Sequence, residues 1–265
     1  MKSGLALHAK SVVVTGGASN IGRAIALAFA AEGAWVTIFD IDEAQTATTV
    51  FDAANLPGTI VGHACDMCDI EAVERGVANV VAAQSGIDVL VNNMGWSRPA
   101  WFADIPIEDI RKAVDRNLYS VIYATRAVLP TMAGAGGGSI VSVASDAAFG
   151  ELRSAVYGAA KGGVVSFMKN IALEYGRKGV RCNVVAPGLV LPPSAKDVGE
   201  NSLWAVGGDM VIDDKGRGDI VRSIPLRRLT TPADVAGSVL YLASDRLSAQ
   251  VTGQVISVSG GSQMP

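Results

Sequence analysis

What most constrains this chain is an alternation: short β-branched or aliphatic runs take turns with longer Ala-rich stretches of helical period, without a break in composition. That is the pattern of repeated strand–helix–strand units. The strand candidates are Val12–Thr15, Trp35–Asp40, Thr59–Cys65, Asp88–Val91, Ser139–Ser145, Arg181–Ala186 and Gln254–Val258. Being apolar almost throughout, they suit a parallel sheet covered on both faces. Between them lie helix candidates at Asn20–Glu32, Glu43–Ala54, Ile70–Gln84, Ile107–Met132, Ser154–Arg177 and Pro232–Leu242. Right-handed crossovers through these helices predict an α/β fold, a doubly wound seven-stranded parallel sheet with helices on both faces. At 265 residues and 49% hydrophobic, the chain suits a single domain over 1–265.

One stretch, 189–224, shows no clear period and exceeds the length of an ordinary structureless loop. Its Leu203, Trp204, Val206, Met210 and Val211 predict packing on something apolar, as a substrate-covering lid would.

Charge and cysteine usage exclude several function classes. Twenty-two basic and 25 acidic residues, net −3 and without blocks, offer no extended basic surface for a phosphate backbone, so no nucleic-acid partner is expected. No apolar run reaches the length of a membrane span, and Met1-Lys2-Ser3-Gly4 leads into no signal-peptide core. The expectation is a soluble, cytoplasmic protein with no membrane partner. Three cysteines make no disulfide framework and fit a reducing compartment. His63, Cys65 and Cys68 form an H-x-C-x-x-C cluster, but Cys182 and His8 are too far along the chain to complete four ligands, so no metal is expected.

Immediately after the first strand, Thr15-Gly16-Gly17-Ala18-Ser19-Asn20-Ile21-Gly22 opens into a helix. Glycine lets the backbone approach a pyrophosphate, and the helix N-terminus offers unpaired N–H groups and the positive end of its dipole. Asp40 ends the second strand, eighteen residues after Gly22. A carboxylate there accepts hydrogen bonds from an adenosine ribose diol and repels a 2′-phosphate, which predicts NAD rather than NADP.

At the start of a predicted helix, Tyr157 and Lys161 stand at i and i+4, which puts phenol and ammonium on one face. A phenol is a poor base at neutral pH, and a neighbouring ammonium with an oxidised nicotinamide would favour its ionised form. Tyr157 then exchanges a proton with a substrate hydroxyl as hydride moves to or from the ring. Ser145 ends a strand twelve residues upstream.

Taken in order, these motifs resemble the classical short-chain dehydrogenase/reductase family from end to end. Thr15–Gly22 is similar to its T-G-x-x-x-G-x-G turn, and Asn92-Asn93-Met94-Gly95 to its N-N-A-G. Asn117, Ser145, Tyr157 and Lys161 match its catalytic tetrad in order, and Pro187-Gly188 its P-G turn. The resemblance implies a Rossmann-type fold and a division of labour. Tyr157 would be the general acid/base, and Lys161 would hold the nicotinamide ribose and depress the tyrosine's pKa. Ser145 would bind the substrate oxygen, and Asn117 would support a water-linked proton relay beside Lys161. Gly16, Ser19, Asn20, Ile21 and Gly22 would cradle the pyrophosphate, Asp66 would contact adenine, Asn92 and Gly95 would shape the groove, and Pro187, Gly188 and Val190 would border the carboxamide. A homotetramer is the family's common assembly.

Three positions depart from the family pattern. Asn20 replaces the middle glycine of the turn, although Asn best tolerates positive φ among the other residues. Met94 replaces an alanine, and Leu191-Pro192-Pro193 stands where the family has a threonine.

By the same resemblance, Trp96, Trp101, Phe149, Leu152, Leu191, Trp204 and Met210 surround the substrate side. Trp96, Phe149 and Trp204, with Ser145 and Tyr157, are the expected substrate contacts. So much aromatic and aliphatic surface predicts a bulky, cyclic or long apolar small-molecule substrate. Short matches at Ala144–Ala148, Asn93–Trp96 and Gly253–Gly261 are similar to alicyclic hydroxyacyl-CoA dehydrogenases, and Arg98, Arg153, Lys196, Lys215, Arg217 and Arg222 offer charge for a CoA phosphate. A free cyclic or aromatic alcohol, or a 3-oxoacyl thioester reduced in the opposite direction, stays open. A non-catalytic NAD-binding sensor is the reading from a different class, and the intact tetrad speaks against it.

Overall fold

The computed structural model describes residues 4–194, 197–199, 202, 204 and 214–264. Its strands are β1 (Ser11–Thr15), β2 (Trp35–Asp40), β3 (Thr59–Ala64), β4 (Val89–Asn92), β5 (Gly138–Val143), β6 (Val180–Pro187) and β7 (Val255–Val258). All pair in parallel in one sheet, in the order β3-β2-β1-β4-β5-β6-β7. The order reverses beside β1, so the carboxyl ends of β1 and β4 open a crevice at the switch point.

The helices are α1 (Asn20–Ala31), α2 (Glu43–Asp52), α3 (Ile70–Gln84), α4 (Ile107–Val114), α5 (Ser120–Gly134), α6 (Ala155–Tyr175), α7 (Asp214–Ser223), α8 (Pro232–Ala243) and α9 (Asp245–Ser248). They cover both faces of the sheet. On one, Val12, Val14, Val36 and Ile38 pack with Ile25 and Phe29 of α1 and Val235 and Val239 of α8. On the other, Val13, Leu90 and Ile140 pack with Val77 of α3, Val128 of α5 and Val164 and Met168 of α6. Successive strand residues serve opposite cores, which is why the strands read as continuous apolar runs.

Two expectations change. The single helix predicted over Ile107–Met132 is interrupted by a π-helical turn at Asp115–Tyr119. One extra residue in the turn preserves the apolar pattern on both sides, so periodicity cannot reveal it. The segment 189–224 contains a helix, α7, whose two glycines and low apolar content hide it in sequence. Leu203, Val206, Met210 and Val211 lie outside the described residues.

Helix ends are closed by specific groups. Arg181, almost wholly buried, donates from Nη1 to Leu242 O (2.7 Å) and Ser248 Oγ (3.1 Å), and from Nη2 to Ala243 O (3.2 Å) and Asp245 Oδ1 (3.0 Å). It thereby satisfies carbonyls that the end of α8 leaves open. At the other end, Thr231 and Asp234 form a reciprocal capping box, with Pro232 in the first turn. Arg228 holds Asp234 in a two-pronged ion pair (2.6 and 2.9 Å). Thr231→Ala removes one cap and should cost about 1 kcal/mol, lowering the melting temperature by roughly 2–4 °C without changing the circular dichroism spectrum of the fold.

Candidate active site

The carboxyl edge of the sheet opens into one cleft of about 630 Å³. It runs from the glycine-rich turn past the ends of β2, β4, β5 and β6 to the segment before α7, and Gly16, Asp40, Ser145, Tyr157, Pro187 and Trp204 mark its course.

At one end, Gly16 has φ +62° and its N–H donates to Phe39 O (2.8 Å). A methyl on Gly22 would stand 2.0 Å from Gly16 O, so the helix can follow the turn this closely only with glycine there. Asn20 takes φ +44°, as its type permits. Its Oδ1 is buried with no hydrogen-bond partner among the described residues, while Ser19 Oγ reaches Asp197 O (3.3 Å). A narrow turn, open N–H groups at the start of α1 and an unpartnered polar atom at the cleft wall fit a dinucleotide phosphate. Asp40 lines the cleft, but its carboxylate also works locally: Oδ2 accepts from Ala18 N and Oδ1 from Asp42 N, both at 3.1 Å. Burial raises its pKa, and these backbone donors pull it back. Asp66 is on the wall nearby, with Oδ1 accepting from Cys68 N (2.9 Å). Cys65 and Cys68 are free thiols, each pushed up to about 11 mainly by burial. Among the described residues no group of three or more His, Cys, Asp and Glu could hold a metal ion.

At the other end stand Ser145, Tyr157 and Lys161. β5 ends at Val143, Ser145 follows with extended φ, and its Oγ accepts from Ala147 N (3.2 Å). α6 brings Tyr157 alongside Ser145, whose hydroxyl acts to lower the phenol's pKa. Gly158 makes that approach possible, since a methyl there would lie 2.5 Å from Ala147 O. Lys161 is only 2% exposed, and its Nζ donates to Val143 O (2.8 Å) and stands 5.8 Å from the centre of the Tyr157 ring.

Burial dominates the electrostatics of this end. Burial pushes the phenol up to about 12, against the Ser145 hydrogen bond that lowers it. The same burial pulls Lys161 down to about 8, because desolvation disfavours its charged form. Burial therefore favours the neutral form of each group, and a positive charge beside the phenol would favour its ionisation.

Most expected site residues meet here: Gly16, Ser19, Asn20, Ile21, Gly22, Asp40, Asp66, Gly95, Trp96, Ser145, Tyr157, Lys161, Pro187, Gly188, Val190 and Trp204 all line the cleft. Three do not. Asn92 points beneath the wall, where its Nδ2 donates to Thr125 Oγ1 (3.2 Å) and Ser142 Oγ (3.1 Å). Its neighbour Asn93 faces the groove instead, with Nδ2 bonded to Thr15 O and Gly16 O. As Asn92 is the last residue of β4 and Asn93 the first after it, the period-2 alternation decides which faces the turn. Phe149 turns outward at the end of a short 3₁₀ turn and is 38% exposed. Asn117, fully buried in the π-helical turn, stands behind the cleft. Its Oδ1 accepts from Trp96 N (3.0 Å) and its Nδ2 donates to Trp96 O (2.6 Å) and Ala113 O (2.8 Å). A methyl on Gly95 would lie 3.0 Å from Asn117 Oδ1 and 3.3 Å from Lys161 Nζ, so the two side chains meet across that glycine.

Of the apolar residues expected around the substrate, Trp96, Leu152 and Trp204 line the cleft, Trp101 is 57% exposed, and Met210 lies outside the described residues. Sequence reasoning missed Thr15, whose Oγ1 accepts from Asn93 N and Met94 N and ties the first turn to the fourth strand. It also missed Asp146, Ser262 and Gln263, which line the cleft and whose sequence carries no periodic signal.

The family model described as enoyl-(acyl carrier protein) reductase matches residues 16–263. The chain is 36% identical to a 3-oxoacyl-[acyl-carrier-protein] reductase, FabG, of Thermotoga maritima, over 96% of this chain and 98% of that protein. It is 33% identical to the (2S)-[(R)-hydroxy(phenyl)methyl]succinyl-CoA dehydrogenase subunit BbsD of Thauera aromatica, over 97% and 98%. Among solved structures, a 7α-hydroxysteroid dehydrogenase complexed with NADH and 7-oxo glycochenodeoxycholic acid superposes with a TM-score of 0.87 at 30% identity, covering 97% of this chain and 95% of that one. Sheet order, cleft and relatives agree: this chain belongs to the short-chain dehydrogenase/reductase family and is an oxidoreductase built for a nicotinamide cofactor.

Proposed function

We propose that this protein interconverts a secondary alcohol and a ketone with NAD, acting on a bulky cyclic substrate such as an alicyclic hydroxyacyl-CoA. The observation that carries the reading is the contact of Ser145 and Tyr157 at the cleft wall with the buried Lys161 behind them. The cofactor supplies the hydride donor or acceptor. Ser145 holds the substrate oxygen beside the phenol, and Tyr157 gives that oxygen a proton in reduction or takes one in oxidation. Lys161 holds the nicotinamide ribose, with Val143 O fixing its Nζ. Asn117 acts one step back by fixing the Trp96 backbone and contributing to the relay beside Lys161.

At the phosphate end, Gly16, Ser19, Asn20, Ile21 and Gly22 take the pyrophosphate, Asp66 the adenine and Asp40 the ribose diol. Asp40 favours NAD because a buried carboxylate repels a 2′-phosphate. Gly95, Pro187, Gly188 and Val190 border the nicotinamide. The solved relative holding NADH supports the same cofactor here.

Trp96 and Trp204 supply the apolar substrate wall, and two relatives are named for ring-bearing substrates. The basic residues offered for a CoA phosphate support that finer reading less. Arg98 pairs with Asp109 (2.8 Å) and Arg222 with Asp219, so their charge is already met on the protein surface. A free cyclic alcohol is the second reading, favoured by that pairing. We also propose a homotetramer, with Ile122, Leu129, Phe167 and Ile171 of α5 and α6 lining an apolar groove outside the cleft.

A panel of cyclic secondary alcohols, hydroxyacids and their CoA thioesters, read by NADH formation, should give turnover with at least one cyclic substrate. Tyr157→Phe should cut that turnover by about 10²–10⁴-fold while the dissociation constant of NADH stays within about threefold. Asp40→Ala should weaken NAD on the order of tenfold and move the NAD/NADP ratio towards NADP; an unchanged ratio would reduce Asp40 to a brace for the turn. Light scattering should return four times the 27.3 kDa chain mass, and a monomer would remove the assembly from the reading.

A further inference from the structure

We propose that Asp146 biases the cleft towards the oxidised cofactor, whose nicotinamide ring carries a positive charge that the reduced ring lacks. The inference rests on the reading of the cleft as a nicotinamide site.

Asp146 follows Ser145 directly, lines the cleft and is 8% exposed. Its carboxylate has no cationic partner among the described residues. It is held instead by hydroxyls of the carboxyl-terminal segment: Ser257 Oγ donates to Oδ1 (3.2 Å) and Ser262 Oγ to Oδ2 (2.9 Å). Ser259 Oγ, 2.8 Å from Ser257 Oγ, and Gln263 O, which shares the single Ser257 proton (3.1 Å), complete the ring of polar groups. Each carboxylate oxygen thus has a serine hydroxyl within hydrogen-bond reach, surroundings that can hold a carboxylate ionised without a cation. Burial raises the Asp146 pKa and the serine donors lower it.

The position of this charge gives it a role. Ser262 Oγ donates to Asp146 and lies beside Gly188, where an added methyl would stand 3.5 Å from it. Gly188 belongs to the turn that borders the nicotinamide, so the carboxylate lies one hydroxyl behind that border. Lys161 Nζ is hydrogen-bonded to Val143 O and makes no ion pair with Asp146 among the described residues. A negative charge screened little by water attracts a cationic ring and is indifferent to a neutral one. Reduction of a ketone generates the cationic ring, and the carboxylate favours that side of the bound equilibrium as well.

The test is the pair of dissociation constants for NAD and NADH, measured calorimetrically on the full-length protein without substrate. Asp146→Asn keeps the shape, and the serines can turn to accept from the new amide. It should lower the preference for NAD over NADH by roughly three- to tenfold, chiefly through weaker NAD binding. Asp146→Ser, a smaller neutral side chain, should shift the ratio in the same direction and serves if the first variant does not fold. Ser262→Ala removes a hydrogen bond but not the charge, and should leave the ratio within about twofold. An unchanged ratio in the neutral variants, or an equal shift in Ser262→Ala, overturns the proposal and leaves Asp146 a brace. Failure of the wild type to bind either nucleotide overturns it together with the nicotinamide reading.

Discussion

The hydrogen bond from Lys161 Nζ to Val143 O is the interaction around which the cleft is organised. An ammonium buried this deeply costs several kcal/mol unless its donors are met, and a main-chain carbonyl meets only one of three. The remaining donors face a space that Gly95 keeps open, with Asn117 on its far side. A group with paired hydroxyls that entered beside Gly95 would meet these donors. Val143 is also the last residue of β5, so the bond ties α6 to the strand that presents Ser145.

That single strand end distributes the remaining roles. Val143 takes the lysine, Ser145 two residues on takes Tyr157, and Asp146 takes Ser257 of β7 and Ser262 beyond it. Because β5 lies between β4 and β6 in a fully parallel sheet, the Asn93 groove and the Pro187-Gly188 turn must open on the same edge. Parallel pairing is what makes one cleft out of the segments that follow all seven strands.

The fold was legible because each level agreed. Ile70–Gln84 was read to the residue, since Asp69 caps its first turn and the apolar period runs unbroken to its end. The π-helical turn was not legible, because a one-residue excess leaves the surrounding period intact while re-aiming Asn117. The motif residues were found by order and type, yet their facing depends on local geometry. Asn92 and Asn93 are identical in type and opposite in direction, and Phe149 turns outward at the end of its 3₁₀ turn. The tail was illegible for another reason: Ser257, Ser259 and Ser262 acquire meaning only when the sheet brings β7 beside β6 and within reach of Asp146.

Protonation at this site depends on burial as well as on proximity. Proximity in sequence says that a lysine beside a tyrosine should make the phenol more acidic, but burial acts on both groups and in opposite directions. Burial, which holds the phenol up to about 12 and the ammonium down to about 8, disfavours charge on either. A cation bound beside the phenol would work against this, by favouring the phenolate. On the proposed reading, Tyr157 would take a proton when the oxidised ring is bound and give one when the reduced ring is bound. The same side chain would serve both directions of the reaction, because the charge that switches it would come with the cofactor.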